Sequence, residues 1–260
     1  MIKIQNLTKS LGDKLLIDDL SLEFQKGVVG VITSSKQEKA ALLNILSAND
    51  TSFSGNVYYS SLDLQENARV LKKKIGYLLA GAPVYEDMTA QEFLTFIGQA
   101  KGVNLERLYN QIEEALELVD LLGKGNVLIG NLSKKERKLL SIAQALIGNP
   151  SVIILDEPLT FLDLEGFRTV TAIIKMLSEI KPVFIFGVSN SHLAEVCNSL
   201  LVISDGAPSF HDDIAAIKEL LCKPAEEESK ESENSEEDEE SEEENNNNDD
   251  NNDNDEEDEI

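Results

Sequence analysis

The 260-residue chain carries a formal net charge of −25, but unevenly: residues 225–260 hold 21 Asp and Glu against one Lys and account for −20, leaving −5 on residues 1–224. A mildly acidic body of that length is ample for a buried core, and no nucleic-acid partner is expected, while Cys197, Cys222, His192 and His211 stand in no zinc-site or disulfide-framework spacing. No charged-then-apolar leader and no run of about 18 apolar residues occurs, so neither signal peptide nor membrane span is expected, and the reading is cytoplasmic.

Ile2–Gln5 and Leu15–Phe24 read as strands around a Gly12-Asp13 turn. Val28–Ile32 is a short apolar run, after which the polar stretch TSSKQE opens into an apolar-patterned helix, AALLNILS. Strand, polar loop and helix in that order form the framework of a phosphate-binding loop. Gly55–Ser60 and Ile75–Leu79 read as further strands. Thr89–Ala100, Leu105–Val119 and Ser133–Ile147 read as three helices, the first and third opened by Thr89/Glu92 and Ser133/Glu136 capping boxes. They form a helical block over about 81–150.

Ser151–Pro158, SVIILDEP, is an apolar strand that stops at two adjacent carboxylates, Asp156 and Glu157. In an open parallel sheet such a strand end faces the ligand crevice. A strongly amphipathic helix follows from Phe167 to Ile180, then strands Pro182–Val188 and Leu200–Ile203 joined by a helix around His192–Asn198. Strands alternating with helices predict a parallel sheet with crossovers, hence an α/β fold. The domain reading is a body over 1–208, a closing helix over 209–224, and a disordered acidic tail over 225–260 whose composition cannot bury enough apolar area to offset chain entropy.

The stretches IKIQNLTKSLGDKLLIDDLSLEF, LLNILSANDTSFSGNVY, KKIGYL, YEDMTAQEFL, LSKKERKLLSIAQALIGNPSVIILDEP and LDLEG, in this order, resemble the ATP-binding subunits of ABC transporters of the bacterial export type, from Met1 to about Gly206. The resemblance implies a P-loop NTPase-like domain with an antiparallel β subdomain and an inserted helical subdomain. It also implies ATP and Mg2+ as cofactors, a membrane permease as partner, a homodimer or a heterodimer with another ABC ATP-binding subunit, and a peripheral place at the inner face of the membrane. Val84, Tyr85 and Met88 lie where such subunits meet the permease.

Carried over residue by residue, the resemblance makes Thr33–Ala40 the phosphate loop. Glycines in such a loop let backbone N–H groups converge on phosphates, a lysine contacts the outer phosphates, and a hydroxyl holds Mg2+. Lys39 is that lysine, with Ser35 and Lys36 beside the nucleotide. Thr33, Lys36 and Glu38 take the glycine positions, and Ala40 takes the position of the magnesium hydroxyl. Non-glycine residues forced to positive φ cost about 1–3 kcal/mol each. Glu38 adds an expected repulsion toward phosphate, about 4 kcal/mol for unit charges about 4 Å apart at intermediate dielectric.

Elsewhere Leu11 replaces the adenine-stacking aromatic, Ala80 the metal-linked glutamine, and Leu132, Ser133, Lys134, Lys135, Glu136 the signature whose Ser133 would meet nucleotide in trans. The switch histidine falls at Ser191 or Asn190, with His192 out of register. Asp156 would hold Mg2+ through water, Glu157 would be the general base, and Asp163 would stand in the loop that follows. The expected function is an ABC subunit with ATP binding and hydrolysis impaired or lost; the alternative is an active ATPase powering export. The acidic tail is expected to be a solvated extension, or else to fold onto Lys36, Lys39, Lys72–Lys74, Lys134 and Lys135.

Overall fold

The computed structural model describes residues 1–78, 80, 85–160, 162–187, 190–213 and 217, all within the first of two compact units, Met1–Cys222. Of Asn190, Ser191 and Ala194 only the backbone course is described. The acidic tail, Val84 and most of the closing helix placed at 209–224 lie outside the described residues.

Strand β1 (Ile2–Leu11) pairs antiparallel with β2 (Lys14–Phe24), from Ile2↔Phe24 to Leu11↔Lys14. The turn between them needs a positive φ, which Gly12 supplies at 59°. On the other edge of β1 lie β4 (Ser54–Tyr59) and the short β5 (Leu62–Asp63), completing a sheet of order β2-β1-β4-β5. Ile2, Ile4 and Leu7 of β1 with Leu20 and Leu22 of β2 bury one face, the period-2 pattern of a half-buried sheet.

The second sheet contains β3 (Gly27–Thr33), β6 (Ile75–Leu78), β7 (Val152–Asp156), β8 (Pro182–Phe186), β9 (Ser199–Ser204) and β10 (Ala207–His211), in the order β10-β9-β3-β8-β7-β6. All pairs are parallel except β10 with β9. Ser209–His211 therefore belong to an antiparallel edge strand rather than to a closing helix, because Ala207–His211 pair in register with Ser204–Leu200 across a turn at Asp205-Gly206.

Seven α-helices cover the sheets among the described residues: α1 (Lys36–Leu46), α2 (Leu64–Lys74), α3 (Ala90–Lys101), α4 (Leu105–Leu118), α5 (Lys134–Leu146), α6 (Leu164–Ser178) and α7 (Asn190–Val196). Thr89 and Ser133 cap α3 and α5 in reciprocal boxes with Glu92 and Glu136, as their spacing predicts. Helix α2 has no counterpart in the sequence reading: Asp63 caps it through Gln65 and Glu66, but only Leu64 and Leu71 of its eleven residues are buried, so its apolar period is too sparse to read.

The parallel strands are buried on both faces and separate two hydrophobic clusters. Ile153, Leu155, Val183 and Ile185 face α3–α6, while Val152, Ile154, Phe184 and Phe186 face α1 and the antiparallel sheet. Burying such side chains contributes about 1.5–3 kcal/mol each, which fixes the strand ends. Gly76 is required where α5 packs on β6, since a Cβ there would sit 2.3 Å from the Ala145 carbonyl oxygen. Because β3, β7 and β8 run parallel, Thr33, Asp156 and Phe186 end on one edge of the sheet.

Candidate functional site

That edge holds the residues predicted for chemistry. Lys39, in the second turn of α1, places Nζ 2.7 Å from Asp156 Oδ1 and 3.1 Å from Glu157 Oε1. Burial acts to lower the Lys39 pKa, but the two carboxylates outweigh it and hold the ammonium above its ordinary range. Glu157 sits immediately after β7 with φ 52°, a left-handed conformation costing about 1–3 kcal/mol. Two contacts hold it there: its N–H donates to the Phe186 carbonyl (2.9 Å), and Lys138 Nζ of α5 donates to its own carbonyl (2.9 Å). Burial lowers the Lys138 pKa, against the opposing fields of Glu157 and Asp156.

Gly187, just past β8, is the close approach that sequence reasoning missed. At φ 63° it lies so near the acids that a Cβ would stand 2.6 Å from Glu157 Cγ and 2.9 Å from Lys39 Nζ. A cavity of about 330 Å³ opens beside it, lined among others by Thr33, Ser35, Lys36 and Lys39. The chain at the glutamine position also reaches the site, through its backbone: the Ala80 N–H points at Asp156 Oδ2 from 3.4 Å.

The stretch predicted as the phosphate loop, Thr33–Ala40, differs from the expected shape. Helix α1 begins at Lys36, four residues earlier than the apolar run AALLNILS predicts, and none of residues 33–40 takes a positive φ. The strain anticipated for non-glycine residues is thereby avoided: the loop is wound into helix. Ser35 caps it, its Oγ accepting from the Glu38 N–H (3.2 Å), while Glu38 Oε2 accepts from the Ser35 N–H (3.0 Å) and the Ser34 hydroxyl (2.8 Å). Glu38 Oε1 accepts from the Gly206 N–H at 2.9 Å.

The Glu38 side chain, 2% exposed, turns away from solvent into these bonds instead of lining the cavity, which corrects the simple picture of a carboxylate confronting phosphate. Burial acts to raise its pKa, but the bonds from Ser34, Gly206 and Ser35 together hold it below the ordinary 4.5. Ala40 is exposed and brings no hydroxyl. Leu11 is 61% exposed and brings no aromatic face.

The stretch predicted as the signature, Leu132–Glu136, repeats the device. Ser133 Oγ accepts from the Glu136 N–H (3.2 Å) and the Ser133 N–H donates to Glu136 Oε2 (2.9 Å). Glu136 also pairs with Lys124. Lys135 binds Glu165 (2.9 Å) and Asp163 (3.3 Å) within the same chain, and Asp163 caps α6 through the Gly166 N–H (2.7 Å), which lowers its pKa. The structure thus brings Lys39, Asp156 and Glu157 together and leaves Ser133 and Asp163 on separate caps. Asn190 and Ser191 open α7, but their side chains lie outside the described residues. The ring of His192 packs on Phe167 of α6, centroids 4.6 Å apart.

The sequence profile of the ABC transporter family matches residues 17–160, more than half of the chain. The chain belongs to the ABC transporter family. Its fold is that of the ABC ATP-binding cassette, an α/β domain with an antiparallel sheet and helical parts. The ABC transporter ATP-binding protein NatA of Bacillus subtilis is 28% identical over 229 residues, covering 84% of this chain and 92% of NatA. The macrolide export ATP-binding/permease protein MacB of Campylobacter jejuni is 27% identical over 212 residues, covering 79% of this chain, which spans only 33% of MacB. An import protein is as similar: the methionine import ATP-binding protein MetN 2 of Shouchella clausii is 28% identical over 225 residues, covering 82% of this chain and 66% of MetN 2.

Among solved structures, the dimeric bacterial ABC transporter cassette MJ0796 superposes with a TM-score of 0.68 at 22% identity, covering 80% of this chain and 96% of that one. This ABC chain has no helix long and apolar enough to cross a membrane among its described residues.

Proposed function

We propose that this chain is an ABC transporter ATP-binding-type subunit of an export system in which ATP binding and hydrolysis are impaired or lost. In this reading it docks on a membrane permease from the cytoplasmic side and pairs with a second copy or with another ABC ATP-binding subunit, serving a regulatory or structural role. The observation that carries the reading is the closure of the phosphate loop on itself: the Ser35 and Glu38 amides are bonded within the loop, Lys39 is tied to Asp156 and Glu157, and Ala40 offers Mg2+ no hydroxyl. These residues do not fit MgATP. Phosphoryl transfer rests on positioning and electrostatics, so Glu157 has no positioned partner to act on.

Docking is supported by an aromatic cluster in which Tyr85, 46% exposed, packs at a tilt against Phe93 (5.9 Å) and edge-on against Phe96 (5.8 Å), itself 45% exposed. Pairing is supported by the dimeric cassette of the same fold. Export rests on the resemblance in sequence alone, since the relatives name both export, in MacB, and import, in MetN 2. Steady-state ATP turnover by the purified full-length chain tests the central point. Wild type and Glu157→Gln should both remain at background; turnover that disappears in Glu157→Gln would establish the active ATPase instead.

A further inference from the structure

We propose that Glu38 is the residue that excludes nucleotide phosphate from this cassette, and that it does so by building the loop into a closed helix cap fastened to the β9–β10 turn, not by charge repulsion. The inference rests on the impaired-binding reading above and names the residue behind it.

One carboxylate joins three segments. Oε2 takes the Ser34 hydroxyl and the Ser35 amide, and Oε1 takes the Gly206 amide. The same turn is fastened twice more: the Asp205 N–H donates to Ser34 Oγ at 3.1 Å, and the Ser34 N–H donates to the Ile203 carbonyl at 2.9 Å. From there the Gly206 carbonyl accepts from the Asp18 N–H of β2 at 2.8 Å. Loop, edge hairpin and antiparallel sheet therefore share one bonded path, with Glu38 at its start.

The path decides what the loop can bind. A phosphate nest needs successive N–H groups to converge on one point, which alternating backbone conformations provide. Helical residues instead send their N–H groups along one axis, which leaves at most the single anion position of a helix N-terminus in place of a cradle around a polyphosphate. From Lys36 onward the backbone is helical, and the N–H groups of Ser35 and Glu38 already have acceptors. Glycine at position 38 would remove the carboxylate, free the Ser35 and Gly206 amides and weaken the first turn. Repulsion is the lesser factor, because the carboxylate is turned inward onto three donors that offset its charge.

Two substitutions separate architecture from charge. Glu38→Gly removes both; Glu38→Gln removes the charge while keeping the chain length and one acceptor oxygen. With MgATP as probe, the full-length Glu38→Gly protein should bind at least about tenfold more tightly than wild type, and hydrogen exchange at the Ser35 and Gly206 amides should quicken. Glu38→Gln should gain less than about threefold. Equal gains in the two variants would overturn the proposal in favour of repulsion, and faster exchange without any gain in affinity would overturn it outright. Should Glu38→Gly not fold, Ser34→Ala, which removes the hydroxyl bridging Glu38 and Asp205, carries the same prediction at reduced size, and no gain there counts against it. The wild-type isotherm tests the functional reading; the ratio of variant to wild type tests this inference.

Discussion

The ammonium of Lys39 lies 2.7 Å from the buried carboxylate of Asp156, an ion pair that joins the beginning of α1 to the end of β7. In a working phosphate loop the same lysine faces outward to the nucleotide. In the proposed reading an incoming phosphate has to compete with Asp156 and Glu157 for it.

Removing Lys39 should therefore weaken the fold even without nucleotide. Asp156 is 4% exposed, and leaving a buried charge without its partner costs about 3 kcal/mol or more. Lys39→Ala should lower the urea midpoint by that equivalent. A midpoint unchanged from wild type would mean that the pair adds nothing to the native state.

Stability should also depend on Glu38 at the acid end. Its folded pKa lies below the ordinary 4.5, so its contribution is present above that value and is lost as pH falls through the folded pKa. Unfolding free energy measured between about pH 6 and about pH 3 should fall less steeply in Glu38→Gln than in wild type. For Lys39 the sign reverses: with its pKa raised above 10.5, its contribution persists through neutral pH and is lost only as pH rises through the folded value.

Gly187→Ala should lower the melting temperature, by the equivalent of about 2 kcal/mol or more, since it adds a Cβ at positive φ against both Glu157 and Lys39. Gly123→Ala is the matched control, with open space around the new Cβ. Similar shifts in the two variants would remove Gly187 from the account.

Restoring the missing hydroxyl alone should not restore the site. Ala40→Ser should leave MgATP affinity at the wild-type level, whereas Ala40→Ser combined with Glu38→Gly should exceed the gain from Glu38→Gly alone, a non-additivity expected of residues serving one ligand. Calorimetric titration with and without Mg2+ checks this; a gain from Ala40→Ser by itself would place the defect in the metal ligand, not in the loop.

Much of this architecture is legible in the sequence. Alternation in β1 and β2, the buried runs of β3, β7 and β8, and the Thr89/Glu92 and Ser133/Glu136 boxes all follow from local patterns. Ser35 followed three residues later by Glu38 is the same local pattern, and it makes Glu38 a cap partner where a glycine-rich loop in its place would make it a repelling charge. Ser34, four residues before Glu38, is a local partner, but Gly206 on the β9–β10 turn lies 168 residues away. No local pattern could reveal that. Gly187 was hidden for the same reason, since its need to be glycine comes from Glu157 and Lys39 on other elements.

The most direct measurement is equilibrium binding of MgATP to the purified full-length protein, with Lys39→Ala as control. A loop closed by its own serine and glutamate predicts no saturable, Mg-dependent binding tighter than about 1 mM. Micromolar binding that requires Mg2+ and disappears in Lys39→Ala would contradict the account.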